Sequence, residues 1–220
     1  MDDLICGIDE AGRGPVIGPL VVAGVWATPR QESLLAEMGV RDSKKHSARR
    51  REELARLIRK HCTCQTVTVQ PEDIDALRAT MTINQLEVHL FVRVAQSRRA
   101  DVYYLDAAST DEEWFGSAFR EHLGGEAQVV SEHEADDRYP VVSAASIVAK
   151  VERDRELTAI AAQLEPRLDV PLGSGYPSDP RTRTFIKKWL QRYGDLPPYT
   201  RRSWNTVRTL RREMEQKRLF

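Results

Sequence analysis

The 220-residue chain is poor in the features that organise many small proteins. Cysteine occurs three times, as Cys6, Cys62 and Cys64, and no second Cys or His pair stands at the spacing of a zinc site. A disulfide framework and a structural zinc are therefore excluded as the basis of the fold, and the thiols read as reduced core residues. No apolar run approaches the roughly 20 residues that would cross a bilayer, and Met-Asp-Asp-Leu lacks the basic-then-apolar pattern of a secretion signal. The expectation is a cytoplasmic protein with no membrane partner. Repeats and low-complexity linkers are also lacking. So is any excess of charge: 33 Lys and Arg face 33 Asp and Glu, so total charge points to no partner.

What is there is an ordinary globular composition, 41% hydrophobic and 30% charged, enough for one well-buried core and a small appended subdomain. The charge is unevenly placed. Residues 181–220 carry 12 basic and 3 acidic side chains, which leaves 21 basic and 30 acidic for residues 1–180. A basic tail beside an acidic body suits a protein that grips phosphates with one part and concentrates carboxylates around cations with another; a solvated basic helix surface is the plainer alternative.

Leu4 to Asp9 and Pro19 to Trp26 are apolar runs joined by a Gly/Pro-rich turn and predict a hairpin. Helical spacing over Ser47 to Lys60 gives way to alternation over Cys62 to Val69. Short and longer helices follow at Pro71 to Leu77 and Ile83 to Ser97, then a strand at Val102 to Leu105 that ends on Asp106. An amphipathic segment, Asp111 to Leu123, precedes a strand at Ala127 to Ser131, a polar loop around Asp136 and a long helix over Val142 to Leu164. The remainder is helical, interrupted at Gly194 to Pro198. The pattern predicts an α/β fold, one mixed sheet flanked by helices, with a catalytic domain over residues 1–170 and a small basic helical subdomain over 171–220.

In such sheets ligands collect outside the carboxyl ends of strands, and Asp9, Glu10 and Asp106 fall at or just beyond such ends. Asp136 and Asp137 sit in the loop before the long helix. If the sheet gathers these ends, four carboxylates converge. Such a cluster persists only when protonated or neutralised by cations, and hard oxygen donors select Mg²⁺ or Mn²⁺. Two such ions about 4 Å apart can hold a phosphodiester for in-line attack by water. The segment Ala11-Gly12-Arg13-Gly14-Pro15, directly after the acids, is Gly-rich enough to bring backbone N–H groups against a ligand.

Six ordered motifs carry a resemblance: Gly7-Ile8-Asp9-Glu10-Ala11-Gly12-Arg13-Gly14-Pro15, Asp42-Ser43-Lys44-Lys45, Leu105-Asp106-Ala107-Ala108, Glu132-His133-Glu134-Ala135-Asp136, the run Tyr139 to Val151, and Gly173-Ser174-Gly175-Tyr176-Pro177-Ser178-Asp179-Pro180. Together they resemble the ribonuclease HII family, especially its archaeal members, over almost the whole chain. The resemblance implies an RNase H-like fold and a metal-dependent endonuclease. It would cut the RNA strand of RNA/DNA hybrids, and duplex DNA on the 5′ side of embedded ribonucleotides, leaving 3′-hydroxyl and 5′-phosphate ends.

On the same resemblance Asp9, Glu10, Asp106 and Asp136 are the metal-binding catalytic acids; Asp136 is preferred to Asp137 because the family's fourth acid directly follows an alanine, here Ala135. Gly12, Arg13 and Gly14 would contact the ribonucleotide 2′-hydroxyl through their backbone, and Tyr176 would stack on the sugar of the following deoxynucleotide. The 2′-hydroxyl is the chemical difference between RNA and DNA, so backbone reading of it makes cleavage independent of base. Lys44 and Lys150 are candidate phosphate ligands, Ser143 and Ser146 candidate phosphate contacts or helix caps, and Arg201 and Arg202 candidate holders of the duplex backbone. Glu134 stands where the family has lysine, adding negative charge near the site. Gln216 to Phe220 begins like a sliding-clamp binding motif. Family kinship implies a monomer. Two rivals remain at this point: the same fold acting on a Holliday junction or plain DNA, and a catalytically silent hybrid-binding protein.

Overall fold

The computed structural model describes residues 3–41 and 46–218, with side chains as far as Glu213. Its five strands are β1 (Ile5–Ala11), β2 (Leu20–Ala27), β3 (Thr63–Val69), β4 (Val102–Asp106) and β5 (Gln128–Glu132), in the sheet order β3-β2-β1-β4-β5. β2 pairs antiparallel with β1, and β4 and β5 continue the sheet in parallel. The expected hairpin and mixed α/β sheet are both present.

The helices are α1 (Pro29–Glu37), α2 (Ala48–His61), α3 (Pro71–Leu77), α4 (Ile83–Ala95), α5 (Glu112–Leu123), α6 (Ala135–Arg138), α7 (Pro140–Leu164), α8 (Pro180–Tyr193) and α9 (Asn205–Arg218). Two depart from the expectation. Periodicity over nine residues is too short to announce α1, which is fixed by a capping box: Thr28 accepts from the Gln31 N–H while Gln31 reaches back to the Thr28 N–H. The segment around Asp136 is a single helical turn, α6, rather than loop. Among the described residues, no helix is long and apolar enough to cross a membrane.

The chain divides into two compact units, one of residues 1–11, 21–68 and 81–152, the other of 12–20, 69–80 and 153–220. In the first, pleating sends Ile5, Gly7, Asp9 and Ala11 to one face of β1. Ile5 and Ala11 join a core with Leu54 and Ile58 of α2 and Val141, Val142 and Ala145 of α7. Gly7 has no room for a side chain, since a Cβ there would lie 2.4 Å from the Val141 carbonyl carbon. The start of α7 therefore rests directly on β1, two residues before Asp9. On the opposite face Phe91 of α4 meets Phe115 of α5 edge-on at 5.2 Å, and Tyr103 of β4 packs on Phe119 at 5.5 Å. Burying each such ring contributes about 1.5–3 kcal/mol.

The second unit has its own core, in which Val16 and Ile17 pack with Leu172, Phe185, Ile186, Val207 and the partly buried Trp204. Residues 16–18 are its central thread. They pair with 199–201 through Gly18 N–H to the Tyr199 carbonyl (3.0 Å) and Arg201 N–H to the Val16 carbonyl (2.9 Å). The Gly175 carbonyl accepts from the Val16 and Ile17 N–H groups at 2.8 and 3.2 Å.

Candidate active site

Within the first unit the parallel ladder between β1 and β4 ends at Ile8 and Leu105, while β1 continues antiparallel to β2 as far as Ala11. Asp9 thus lies inside a strand rather than beyond it, yet just past the point where its other neighbour stops. Asp106 is the last residue of β4, and α6 presents Asp136. One carboxylate oxygen from each of Asp9, Asp106 and Asp136 lies within 4.8 Å of the others. Asp9 and Asp136 are buried, 5% and 2% exposed, whereas Asp137 is exposed and outside the group. Glu10, the fourth expected acid, is half-buried and is not among the three that converge; strand alternation turns it from the face that carries Asp9.

The surroundings of Asp9 show what the cluster demands. Burial pushes its carboxyl well above the ordinary range, the charge of Glu10 adds to this and that of Asp136 does so weakly, while a hydrogen bond from Ser146 and the Lys150 ammonium oppose it. Ser146 and Lys150 are one turn apart on α7, and Lys150 Nζ donates to Ser146 Oγ at 2.7 Å. The Glu10 N–H donates to Asp9 Oδ1 at 2.6 Å and the Ala135 N–H to Asp106 Oδ1 at 3.3 Å. Three clustered carboxylates persist only when protonated or offset by positive charge. An all-oxygen donor set of this size fits a hard divalent cation, with Asp9, Asp106 and Asp136 as its protein ligands.

Two expected substrate contacts are occupied within the fold. Ser143 is fully buried and donates to the Val40 carbonyl at 2.6 Å; α7 starts three residues earlier, so this serine neither caps the helix nor reaches a phosphate. Ser146, also fully buried, serves Asp9 and Lys150. His133 Nδ1 lies 2.8 Å from the Ala107 carbonyl and its backbone N–H donates to Glu112, which places it in the loop's framework. Glu134, in the family's lysine position, is exposed and takes the left-handed conformation that starts α6. Lys44, with the motif Asp42 to Lys45, lies outside the described residues, as do Leu219, Phe220 and the side chains of Gln216 to Arg218.

The Gly-Arg-Gly loop and the tyrosine turn are both built in the second unit. Gly12 has φ +93°, and a Cβ there would lie 2.5 Å from the Pro19 carbonyl oxygen. Tyr176 is 36% exposed, and a Cβ on Gly14 would stand 3.6 Å from the Tyr176 ring. Asp179 ties the turn to α8, accepting from the Ser174 N–H at 2.7 Å and the Arg181 N–H at 2.9 Å. These donors, the Ser174 N–H foremost, hold its carboxyl below the ordinary range.

Arg201 corrects the expectation that it holds the duplex. It is wholly buried, and its guanidinium donates to the carbonyls of Gly18 (3.0 Å), Arg13 (2.9 Å) and Gly12 (2.6 Å), with the Trp204 ring beside it at 4.9 Å. Three loop carbonyls turned inward onto one fork fix the course of the loop. Arg202 is exposed and pairs with Asp195 at 2.8 Å. Buried arginines in this role are invisible to composition, which reads Arg201-Arg202 as surface charge.

Comparison with known proteins gives consistent matches over almost the whole chain. A family profile described as Ribonuclease HII matches residues 6–207. A ribonuclease HII of Methanothermobacter thermautotrophicus is 47% identical over 204 residues, covering 92% of this chain and 97% of the relative. The crystal structure of ribonuclease H2 from Pyrococcus horikoshii superposes with a TM-score of 0.88 at 38% identity, covering 97% and 99% of the two chains. The RNase HII in a PCNA:RNase HII complex from Archaeoglobus fulgidus gives 0.84 at 44% identity, over 94% and 96%.

Proposed function

The chain belongs to the ribonuclease HII family and is a ribonuclease H acting on RNA/DNA hybrids; from that premise we propose that it also incises duplex DNA on the 5′ side of embedded ribonucleotides, with Mg²⁺ or Mn²⁺ required. The observation that carries this reading is the convergence of Asp9, Asp106 and Asp136, two of them buried.

Divalent cations bound there would supply activation of water and neutralisation of charge at the phosphodiester, leaving a 3′-hydroxyl and a 5′-phosphate. Asp9, Asp106 and Asp136 would hold them, and Glu10, outside the converging three but near enough for its charge to act on Asp9, would be drawn in as the fourth ligand. Ser146 and Lys150 keep Asp9 oriented, and the Lys150 ammonium offers positive charge to a phosphate. The backbone of Gly12, Arg13 and Gly14 reads the 2′-hydroxyl, which is a donor and an acceptor that DNA lacks. Tyr176, with its exposed ring, stacks on the next deoxyribose. Segment 171–220 supplies basic charge for the duplex backbone, and Lys44 adds a phosphate contact. Because the A. fulgidus relative is seen with PCNA, Gln216 to Phe220 is read as a clamp-binding tail on a monomer, and its deletion should abolish clamp pulldown.

The test is cleavage of an end-labelled DNA duplex carrying one ribonucleotide, with Mg²⁺, Mn²⁺ or chelator. Asp136→Asn should lower the rate by on the order of 10²–10³-fold, the several kcal/mol that a metal centre contributes. Asp137→Asn should stay within about twofold, as an exposed side chain away from the chemistry does. Loss in Asp137→Asn alone would reassign the fourth ligand. A wild-type enzyme that cuts long hybrids but leaves this duplex intact would restrict the function to hybrids.

A further inference from the structure

Arg153 is the one buried cation that touches both the Gly-Arg-Gly loop and the tyrosine turn among the contacts described for the second unit. It is 6% exposed. Its guanidinium carbon lies 5.1 Å from the centre of the Tyr176 ring, and Nη2 donates to the Ser174 carbonyl at 2.9 Å. On the loop side, a Cβ on Gly12 would meet Arg153 Cδ at 2.9 Å and Nε at 3.0 Å; on the turn side, one on Gly175 would meet Nη2 at 3.3 Å. The same ring also lies against the loop, since a Cβ on Gly14 would stand 3.6 Å from its Cε1. Tyr176 therefore has both a guanidinium and the loop as neighbours.

We propose that Arg153 is a positioning residue that sets the spacing between the Gly12–Gly14 backbone and the Tyr176 ring, and through it the preference for an RNA-to-DNA junction over uninterrupted RNA. The inference rests on the roles given above to the loop and to Tyr176. Folding alone does not account for an arginine here. Its nearest carboxylate, on Asp154, is 3.8 Å away and partly exposed, and its buried Nε has no acceptor among the described residues. Such a group weakens a fold unless it does something an apolar side chain of the same volume cannot. A guanidinium can lie flat beneath a ring and donate within its own plane to the turn that carries the ring. Lysine, a point charge on a flexible stem, cannot do both.

The experiment measures kcat and KM on two substrates, a duplex with one ribonucleotide and a continuous RNA/DNA hybrid, for wild type, Arg153→Lys, Tyr176→Leu and the double variant. Mn²⁺ affinity is followed by calorimetry. Arg153→Lys is expected to lower the ratio of kcat/KM values, single ribonucleotide over hybrid, by roughly three- to thirty-fold, the range of a desolvated cation–ring contact. Mn²⁺ affinity should not change, and once Tyr176 is Leu the lysine should alter the ratio no further. Arg153→Gln, shorter but planar, gives the same comparison if the lysine variant melts below assay temperature. An equal loss on both substrates, or an equal change of ratio with and without the ring, overturns the proposal and leaves Arg153 a packing residue. If Tyr176→Leu shifts the ratio and neither Arg153 variant does, only the positioning role fails. If Tyr176→Leu leaves the ratio unmoved, the reading of Tyr176 fails and takes the proposal with it.

Discussion

At the scale of single residues, Asp9 concentrates the tension in the site. A carboxyl whose pKa is higher in the folded than in the unfolded chain takes up a proton on folding. Its contribution to stability is therefore full below the unfolded value near about 4 and is lost as pH rises through the folded one. With burial as the main cause of the rise, the metal-free enzyme should lose stability from mildly acidic pH upward, and added Mn²⁺ should restore more of it at the alkaline end. In chelator, Asp9→Asn should melt higher than wild type near neutrality, by roughly 2–8 °C if removing the buried charge recovers about 1–2 kcal/mol. Melting curves across pH decide this; a variant no more stable than wild type in chelator would mean that Asp9 is already balanced by the protein. Asp136 shows how much of the site is legible at this scale. From composition and spacing alone it and Asp137 are equal candidates, and only the motif that puts an acid directly after alanine separates them. Burial of one and exposure of the other is decided by the single turn of α6, which no side-chain pattern of four residues specifies.

At the scale of elements, glycines and caps place the chemistry. Gly7 lets α7 lie against β1, and the obstacle a Cβ would meet is helix backbone, which cannot swing aside as a side-chain tip can. Gly7→Ala should cost about 1–3 kcal/mol, seen as a fall in melting temperature of roughly 2–12 °C. Because Asp9 is two residues along the same face, Mn²⁺ affinity should fall as well; calorimetry showing wild-type affinity would detach the helix contact from the site. Asp179→Ala, which removes the first-turn cap of α8 and the anchor of the tyrosine turn, should lower the melting temperature. Long periodic elements such as α2, α4 and β2 can be read from the sequence, because burial of one face writes a period into it. α1 shows the limit, since its signal is a local capping box and not a period. The reach of β1 past Asp9 is set by its partner β2, a tertiary fact that a single run of residues does not contain.

At the scale of the molecule, the three converging acids belong to one compact unit, and the loop, Arg153, Tyr176 and Arg201 belong to the other. Charge follows the same division. The first unit holds 16 basic and 22 acidic residues, the second 17 and 11. Counting from residue 181 detects this polarity but misplaces its edge, because residues 12–20 and 69–80 join the basic unit from far upstream. Arg183 and Lys188 are exposed on α8. Replacing both with alanine should raise KM, leave kcat near wild type and reduce the slope of log KM against log salt by about 1.8, two contacts at about 0.9 each. A slope unchanged by the double substitution would place the phosphate contacts elsewhere.

Arg201 finally ties the maturation of the enzyme to the direction of its synthesis. The carbonyls of Gly12, Arg13 and Gly18 leave the ribosome early, yet the guanidinium that receives them is encoded more than 180 residues later. At about 5–20 residues per second the loop waits roughly 10–40 s for its fork. A nascent chain can thus lay down the Asp9 strand long before the loop is fixed, and termination between Asp136 and Arg201 yields a polypeptide that contains all three converging acids but lacks the fork that receives the loop carbonyls.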